Sequence, residues 1–412
     1  MNVLHIIGGD LKYGASKGVL ILHNALLKQN IDSNIINDAN FNNKISNIHS
    51  INNKIFHKYL NIIFYFLERL IKKILCKEFK STFTMNLLGV NFKNLKIFKE
   101  ADIIHLHWLN QGFVNLNHLQ NLDKPIVWTL RDMWPFTGGC HYSSGCNKYI
   151  HNCGSCPVIS STKEFDISSK IQAKKIKFVN SNNSLYVTAI STWLANLGKK
   201  SRIFKNKEII PMGNNVDVKN FYPEEKKESM LILGINTKKK ILVYGSQNPQ
   251  DKRKGWDLLI QALKKLDLSK YYLVVFGNFW SKEILKSINI EFMSCGYVND
   301  NKKMRNIYSC ADAYLGISIE DGWPKSFAEA ILCGAPIISF KDSSIGEVMK
   351  NINGAFIVDK TDSIELSKMI EKATDNRIYK KKIIEDSKKM IINNYSDSAI
   401  AKKYIELYKK II

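Results

Sequence analysis

The chain has 412 residues, with 60 Lys and Arg against 37 Asp and Glu, a formal net charge of +23. That length exceeds what one hydrophobic core ordinarily supports and calls for two domains, while 45% hydrophobic residues exclude a disordered chain. The basic excess suits anionic partners, whether nucleic acid, an anionic membrane surface or phosphorylated ligands, or else a solvated lysine-rich surface.

From the amino terminus, Met1 runs straight into an apolar strand pattern and Gly8-Gly9, without the basic start and cleavage site of a signal peptide. No run approaches the ~18 uncharged apolar residues of a spanning helix. The chain is therefore expected in the cytoplasm, and its eight cysteines as free thiols or metal ligands before disulfides. Short apolar runs recur at 3–7, 103–108, 125–130 and 185–190, and again at 241–245, 273–276, 313–318, 336–340 and 355–358. Buried parallel strands read as continuous apolar runs, and their alternation with helical patterns predicts two doubly wound α/β sheets. A breaker-rich seam at 210–215 divides a first domain, 1–210, from a second, 211–395. A closing helix over 396–412, with Ile400, Tyr404, Leu407, Tyr408 and Ile411 on one stripe, joins the first.

Within the first half, Gly14-Ala15-Ser16-Lys17-Gly18 reads as a tight turn into a helix or as a loop that lets backbone approach a ligand. Residues 55–75 combine Phe56, Tyr59, Leu60, Ile63, Phe66, Leu67, Leu70 and Ile74 with Lys58, Arg69, Lys72 and Lys73. This amphipathic basic helix either lies on an anionic membrane or docks its apolar stripe on its own sheet. The 103–108 strand places His105 and His107 on one face. Cys140, Cys146, Cys153 and Cys156 form C-x5-C-x6-C-x2-C, which can surround a tetrahedral Zn²⁺ in a closed, structural site, with two disulfides or free thiols as alternatives.

The most informative stretch is Asp321-Gly322-Trp323-Pro324-Lys325-Ser326-Phe327-Ala328-Glu329-Ala330, followed by Cys333-Gly334-Ala335-Pro336. A strand ends, a loop carries an acid and a glycine, and a helix begins whose backbone N–H groups suit a phosphate. This acid-to-Glu spacing with its Cys-Gly-x-Pro turn resembles the donor motif of retaining family 4 glycosyltransferases. The resemblance implies a GT-B architecture, two Rossmann-like domains facing a cleft, with Asp321 against the transferred sugar and Glu329 on the ribose. Asp321 replaces the family's usual Glu, and Pro324 stands where many members have Gly.

Other segments extend the resemblance over nearly the whole chain. Gly245-Ser246, then Lys252-Arg253-Lys254-Gly255, is similar to the first strand and helix of the donor domain. It implies Lys254 as a cation for the leaving diphosphate, with Ser246 where relatives carry Arg and Arg253 in compensation. Gly296 and Tyr297 would lie against the base, and Glu347 where relatives carry a Glu. Gly14 would approach the donor phosphate. Trp134-Pro135-Phe136-Thr137-Gly138-Gly139-Cys140-His141-Tyr142 resembles a subgroup that builds bacterial surface polysaccharides. Arg131 stands where those relatives place a sugar-contacting His; His107 and His141 are the fallback cleft residues on the acceptor side. The implied function is transfer of a sugar from a nucleoside-diphosphate donor to a growing bacterial glycan or lipid-linked acceptor, with no cofactor required, since no Asp-x-Asp pair is present. The alternatives are a GT-B-type nucleotide-sugar epimerase and a basic nucleic-acid-binding protein; no helix-turn-helix, aromatic sheet signature or paired finger supports the latter, so nucleic acid is not expected as a partner. Attachment to the cytoplasmic face of the inner membrane would suit a lipid-linked acceptor.

Overall fold

The computed structural model describes the chain apart from residues 12–13, 40–46, 54, 76–80, 110–111, 279–282, 284, 286–287, 353–354, 360 and 376, and apart from the side chains of 53, 55–57 and 377–380. It divides into two compact units, Met1–Asn215 with Ile400–Ile412, and Val216–Ala399. Among the described residues no helix is long and apolar enough to cross a membrane.

The first unit is built on β1 (Asn2–Ile6), β2 (Asp32–Asn37), β3 (Ile48–Ser50), β4 (Ile103–Leu106), β5 (Ile126–Leu130), β6 (Leu185–Ala189) and β7 (Ile209–Pro211). Their order is β3-β2-β1-β4-β5-β6-β7. The second holds β8 (Lys240–Gly245), β9 (Tyr271–Phe276), β10 (Glu291–Ser294), β11 (Ala313–Gly316), β12 (Ile337–Phe340) and β13 (Phe356–Val358), ordered β10-β9-β8-β11-β12-β13. Every pairing is parallel. Every residue of β4, β5, β11 and β12 is buried, which is why their sequences are mostly apolar without alternation; the polar His105, Thr129 and Ser339 within them are buried too. Strand order reverses between β1 and β4 and between β8 and β11. In doubly wound sheets, ligands bind outside the carboxyl ends of strands at such switch points.

Each of the nine apolar runs overlaps a strand, and among the described residues four strands lie outside them: β2, β3, β7 and β10. The stretch expected as a seam opens as the edge strand β7, because Ile209–Pro211 pairs with Val187–Ala189 before the chain leaves the sheet. The closing helix, Asp397–Ile411, inserts Tyr404 and Tyr408 into the first unit's core. Tyr408 Oη shares a 2.6 Å hydrogen bond with His105 Nδ1, and Tyr404 Oη lies 3.0 Å from Thr129 Oγ1.

The Ile55–Leu75 helix is fixed by its polar side rather than its apolar stripe. Glu68, 6% exposed, accepts hydrogen bonds from the amides of Leu87 and Leu88, and Lys72 Nζ donates to the Phe83 carbonyl at 2.7 Å. Ile71 packs beside Phe83 and Met85. Tyr59, Ile63, Phe66, Leu70 and Ile74 point the other way and are 49–72% exposed. Docking of that stripe on the sheet, one of the two expectations, is thus not what forms. The Phe56 side chain lies outside the described residues.

Candidate donor site

Two loops that leave the adjacent strands β8 and β11 meet at the switch point of the second unit. After β8 a short turn, Lys252–Lys254, ends at Gly255, whose φ of +80° favours glycine and where a Cβ would sit 2.3 Å from the Ile317 carbonyl oxygen. The helix Trp256–Leu263 follows. That close approach allows the Arg253 carbonyl to accept from the Ile319 amide at 2.7 Å, while Tyr244 Oη donates to the Lys254 carbonyl at 2.8 Å. The β8 turn and the loop after β11 are thereby stitched together by backbone.

Their side chains complete the join. Lys254 Nζ is ion-paired with Asp321 Oδ2, and Arg253 Nη1 lies 3.7 Å from the same oxygen. Arg253 also reaches Asp251 Oδ2 at 2.8 Å and donates to the Glu320 carbonyl at 3.1 Å. Burial alone would raise the Asp321 carboxyl; Lys254 and then Arg253 outweigh it and hold it below the usual carboxylate value. The Trp323 amide donates to the same group. Asp321 is therefore an anion kept in place by two cations that are themselves about one-fifth exposed, at 19% and 23%.

The helix Lys325–Leu332 begins at Pro324, which supplies no side-chain cap, and helix N-termini are where anions bind. One turn along, Glu329 accepts from Tyr308 Oη at 3.2 Å. Burial, reinforced by Glu329, raises the Tyr308 phenol well above its ordinary value, so it stays a donor. Gly322 is buried, and the Trp323 indole, 3% exposed, packs on Phe327 and Tyr395 with ring centroids 4.8 and 5.2 Å away. The backbone of Trp323 faces the acid while its side chain belongs to the core. Gly245 ends β8 where a Cβ would strike the Phe276 ring at 2.1 Å. Gly296, at φ +63°, accepts from the Gly277 amide at 2.8 Å and has open space where a Cβ would stand; Tyr297 beside it is 48% exposed. Glu347 lies in the first turn of the Ser344–Met349 helix.

The remaining candidates belong to the first unit. Gly14 starts the Gly14–Leu27 helix at φ +48° with nothing within 4 Å of a Cβ. Arg131 follows β5, is 9% exposed, and Nε donates to His107 Nδ1 at 3.4 Å. Burial lowers its guanidinium to about 10, still a cation near neutrality. His107 is 1% exposed, its Nε2 3.0 Å from His5 Nδ1. His141 is 5% exposed and bonds Asp132 Oδ2 at 2.7 Å and Thr84 Oγ1 at 2.9 Å. Both nitrogens of each ring are engaged inside the unit, so these imidazoles hold loops and strands together. Sequence reading missed Tyr308, the bond from Tyr244 to the Lys254 carbonyl, and His5 as the partner of His107. Only folding brings them near, and neither Tyr244 in its strand nor Tyr308 in its helix carries a motif.

Residues 225–390 match the family described as glycosyl transferases group 1. The chain carries a group 1 glycosyltransferase domain. The matched segment holds Lys254, Asp321 and Glu329. This glycosyltransferase is 22% identical over 320 residues, three-quarters of each chain, to WcaC of Escherichia coli (strain K12), named provisionally as a colanic acid biosynthesis glycosyl transferase. Its fold is similar to that of sucrose-phosphate synthase from Thermosynechococcus elongatus, with a TM-score of 0.70, 13% identity, and 100% of this chain and 99% of that one covered. Anabaena HepE in complex with UDP and glucose gives a TM-score of 0.61 at 12% identity, with 99% of both chains covered. The two parallel sheets are thus those of a GT-B glycosyltransferase.

Proposed function

We propose that this glycosyltransferase moves a sugar from a nucleoside-diphosphate donor, with retention of configuration, to a growing bacterial surface glycan or a lipid-linked acceptor. The observation that carries this reading is the Lys254–Asp321 pair, set at the carboxyl ends of β8 and β11 beside the start of the Lys325–Leu332 helix. Lys254 and Arg253 stabilise the charge that grows on the departing diphosphate. Asp321, which holds those cations when no donor is present, orients the sugar. Glu329, fixed by Tyr308, accepts from the ribose hydroxyls. The name of WcaC supports a surface-glycan acceptor, and UDP with HepE supports a nucleotide donor. Because two side-chain cations supply the countercharge, turnover should persist in EDTA.

Uridine and guanosine diphosphate sugars, offered with lipid-linked glycan acceptors, test this directly. Lys254→Ala and Glu329→Ala should each lower turnover at least ~100-fold with the fold intact, the scale of losing one preorganised stabilising group. Near-wild-type turnover in either variant removes that residue from the site. A new nucleotide sugar formed without released nucleotide would make the protein an epimerase.

The exposed stripe of the Ile55–Leu75 helix adds a place of work: peripheral attachment to an anionic membrane. At 3.6 residues per turn, Ile63, Phe66, Leu70 and Ile74 lie opposite the docked Glu68, and Lys58, Arg69 and Lys73 border them. Apolar patches of this kind on a soluble surface mark an interaction site, and the bordering cations select anionic headgroups.

A further inference from the structure

The four cysteines between Cys140 and Cys156 take no part in the donor chemistry, yet they are built into the first unit with care. All four line one cavity of about 20 Å³, together with Lys148 and Tyr149. That is room for roughly one water-sized occupant. All four are free thiols.

Burial pushes the Cys140 and Cys153 thiols up to about 12 and raises that of Cys156, and backbone amides oppose it at two of the sulfurs. The Val158 and Ile159 amides donate to Cys156 Sγ, and the Gly138 amide to Cys153 Sγ. The backbone that carries them is pinned as well. The Cys156 amide donates to Asp166 Oδ2 at 3.0 Å and the Cys153 amide to Gln172 Oε1 at 2.9 Å. Gly154, at φ +144°, passes so near the Glu164 carbonyl that a Cβ would stand 1.9 Å from its oxygen.

Lys175 is the independent observation. It is 1% exposed, donates to the Trp134 and Thr137 carbonyls, and stands 3.6 Å above the Trp134 ring. Burial lowers its ammonium to about 7, and Cys140, Cys153 and then Asp132 pull it back up. A buried ammonium is costly unless a nearby anion offsets it. Lys148, at the cavity wall, donates to the Gly154 and Ser155 carbonyls at 3.1 and 2.9 Å. Four thiolates about one divalent zinc carry a net charge of about −2, which two lysines match.

We propose that Cys140, Cys146, Cys153 and Cys156 hold one structural Zn²⁺, with Lys175 and Lys148 as its countercharges. Among the described residues the one trio of ligand atoms mutually within 4.8 Å is His5, His105 and His107. No three of the four sulfurs lie that close to one another, so holding the ion requires them to move inward from the cavity wall. The histidine trio faces the Arg131 cation, and both nitrogens of His105 and of His107 are hydrogen-bonded, while His5 Nε2 is buried without a partner. With four protein ligands no coordination position is open, so the ion serves the fold. It ties the loop after Trp134 to the Phe83–Met85 segment, where Cys156, Val158 and Ile159 share one apolar cluster.

Metal analysis of protein purified under reducing conditions from zinc-supplemented cells should give about one zinc per chain. Cys153→Ser and Cys156→Ser should lose most of it, and Cys295→Ser should keep it. Should those variants fail to fold, the wild type decides alone. Native alkylation followed by peptide mapping should leave these four thiols protected until a strong chelator strips the zinc, after which all four react. Cadmium in place of zinc should give the ultraviolet charge-transfer absorption of metal-bound thiolate. Negligible zinc in the wild type overturns the proposal, whether the four thiols then react freely or prove to be two disulfides.

Discussion

A carboxylate that loses water on folding must be repaid by cations or amides, and Asp321 is repaid by both. Its place in the chain was legible because an acid eight residues before a Glu, ahead of Cys-Gly-x-Pro, is a pattern of residue types. Its pairing with Lys254 was not legible, because 67 residues separate them and only the adjacency of β8 and β11 brings them together. The same holds for His107, whose partners come from β1 and from the end of β5. Buried histidine also gives the molecule a pH dependence. His23, 1% exposed and 2.8 Å from Ser33 Oγ through Nδ1, is lowered by burial from 6.5 to about 4. The unfolded chain takes up that proton below 6.5 and the folded chain does not until about 4. The stability His23 allows is therefore present above 6.5 and drains away as pH falls, at up to about 1.4 kcal/mol per unit. Urea unfolding at pH 7.5 and pH 5 should show wild type losing about 2 kcal/mol more than His23→Gln. An equal loss in both proteins would mean that His23 does not titrate in this window.

At the scale of elements, composition decides what can be read. Strands buried on both faces announce themselves, and β4, β5, β11 and β12 did. The four missed strands are edge or near-edge pieces: β2 carries Asp32, Ser33, Asn34 and Asn37, β3 and β7 have three residues each, and no residue of β10 is fully buried. Partly solvated strands such as β3, β7 and β10 need no continuous apolar run, whereas β2 buries four of its six residues, the polar Ser33 and Asn37 among them, so its burial leaves no apolar signature. For the Ile55–Leu75 helix the periodicity was plain and its direction was not. An amphipathic helix can turn its stripe inward or outward, and Glu68 decides the matter by accepting two amides of a distant loop. From residue 51 to 80 there are seven Lys or Arg and two Glu, a net of +5. Each cation near an anionic leaflet contributes about 1 kcal/mol, so a few suffice for binding that salt weakens. Wild type should therefore sediment with anionic vesicles and not with neutral ones, and Ile63→Asp with Phe66→Asp should stay in the supernatant. If the double variant sediments as well as wild type, the stripe is not the contact.

For the molecule as a whole, two sheets from one chain leave the question of what keeps the last residues in place. The Asp397–Ile411 helix runs on from the second unit, yet its buried stripe, Ile400, Ala401, Tyr404, Leu407, Tyr408 and Ile411, belongs to the first. That stripe was legible from helical spacing; its polar function was not. Tyr408 Oη and Thr129 Oγ1 take the two nitrogens of His105 at 2.6 and 2.7 Å, and Thr129 passes the chain on to Thr188 and Tyr404. All five side chains are buried, so none of these groups has water as an alternative. Removing one hydroxyl leaves a buried imidazole nitrogen without its partner, which costs about 1–3 kcal/mol, whereas the ring keeps its packing. Tyr408→Phe should therefore lower the unfolding free energy of the first unit by that amount, with a similar urea dependence. Leu407→Phe, an apolar change on the same stripe, should not disturb the hydrogen-bond chain. Because the defect lies in the first unit, nucleoside-diphosphate binding to the second should be unaltered in Tyr408→Phe at temperatures where both units remain folded. Equal stability of Tyr408→Phe and wild type would mean that the His105 chain does not hold the closing helix, and that apolar burial alone does.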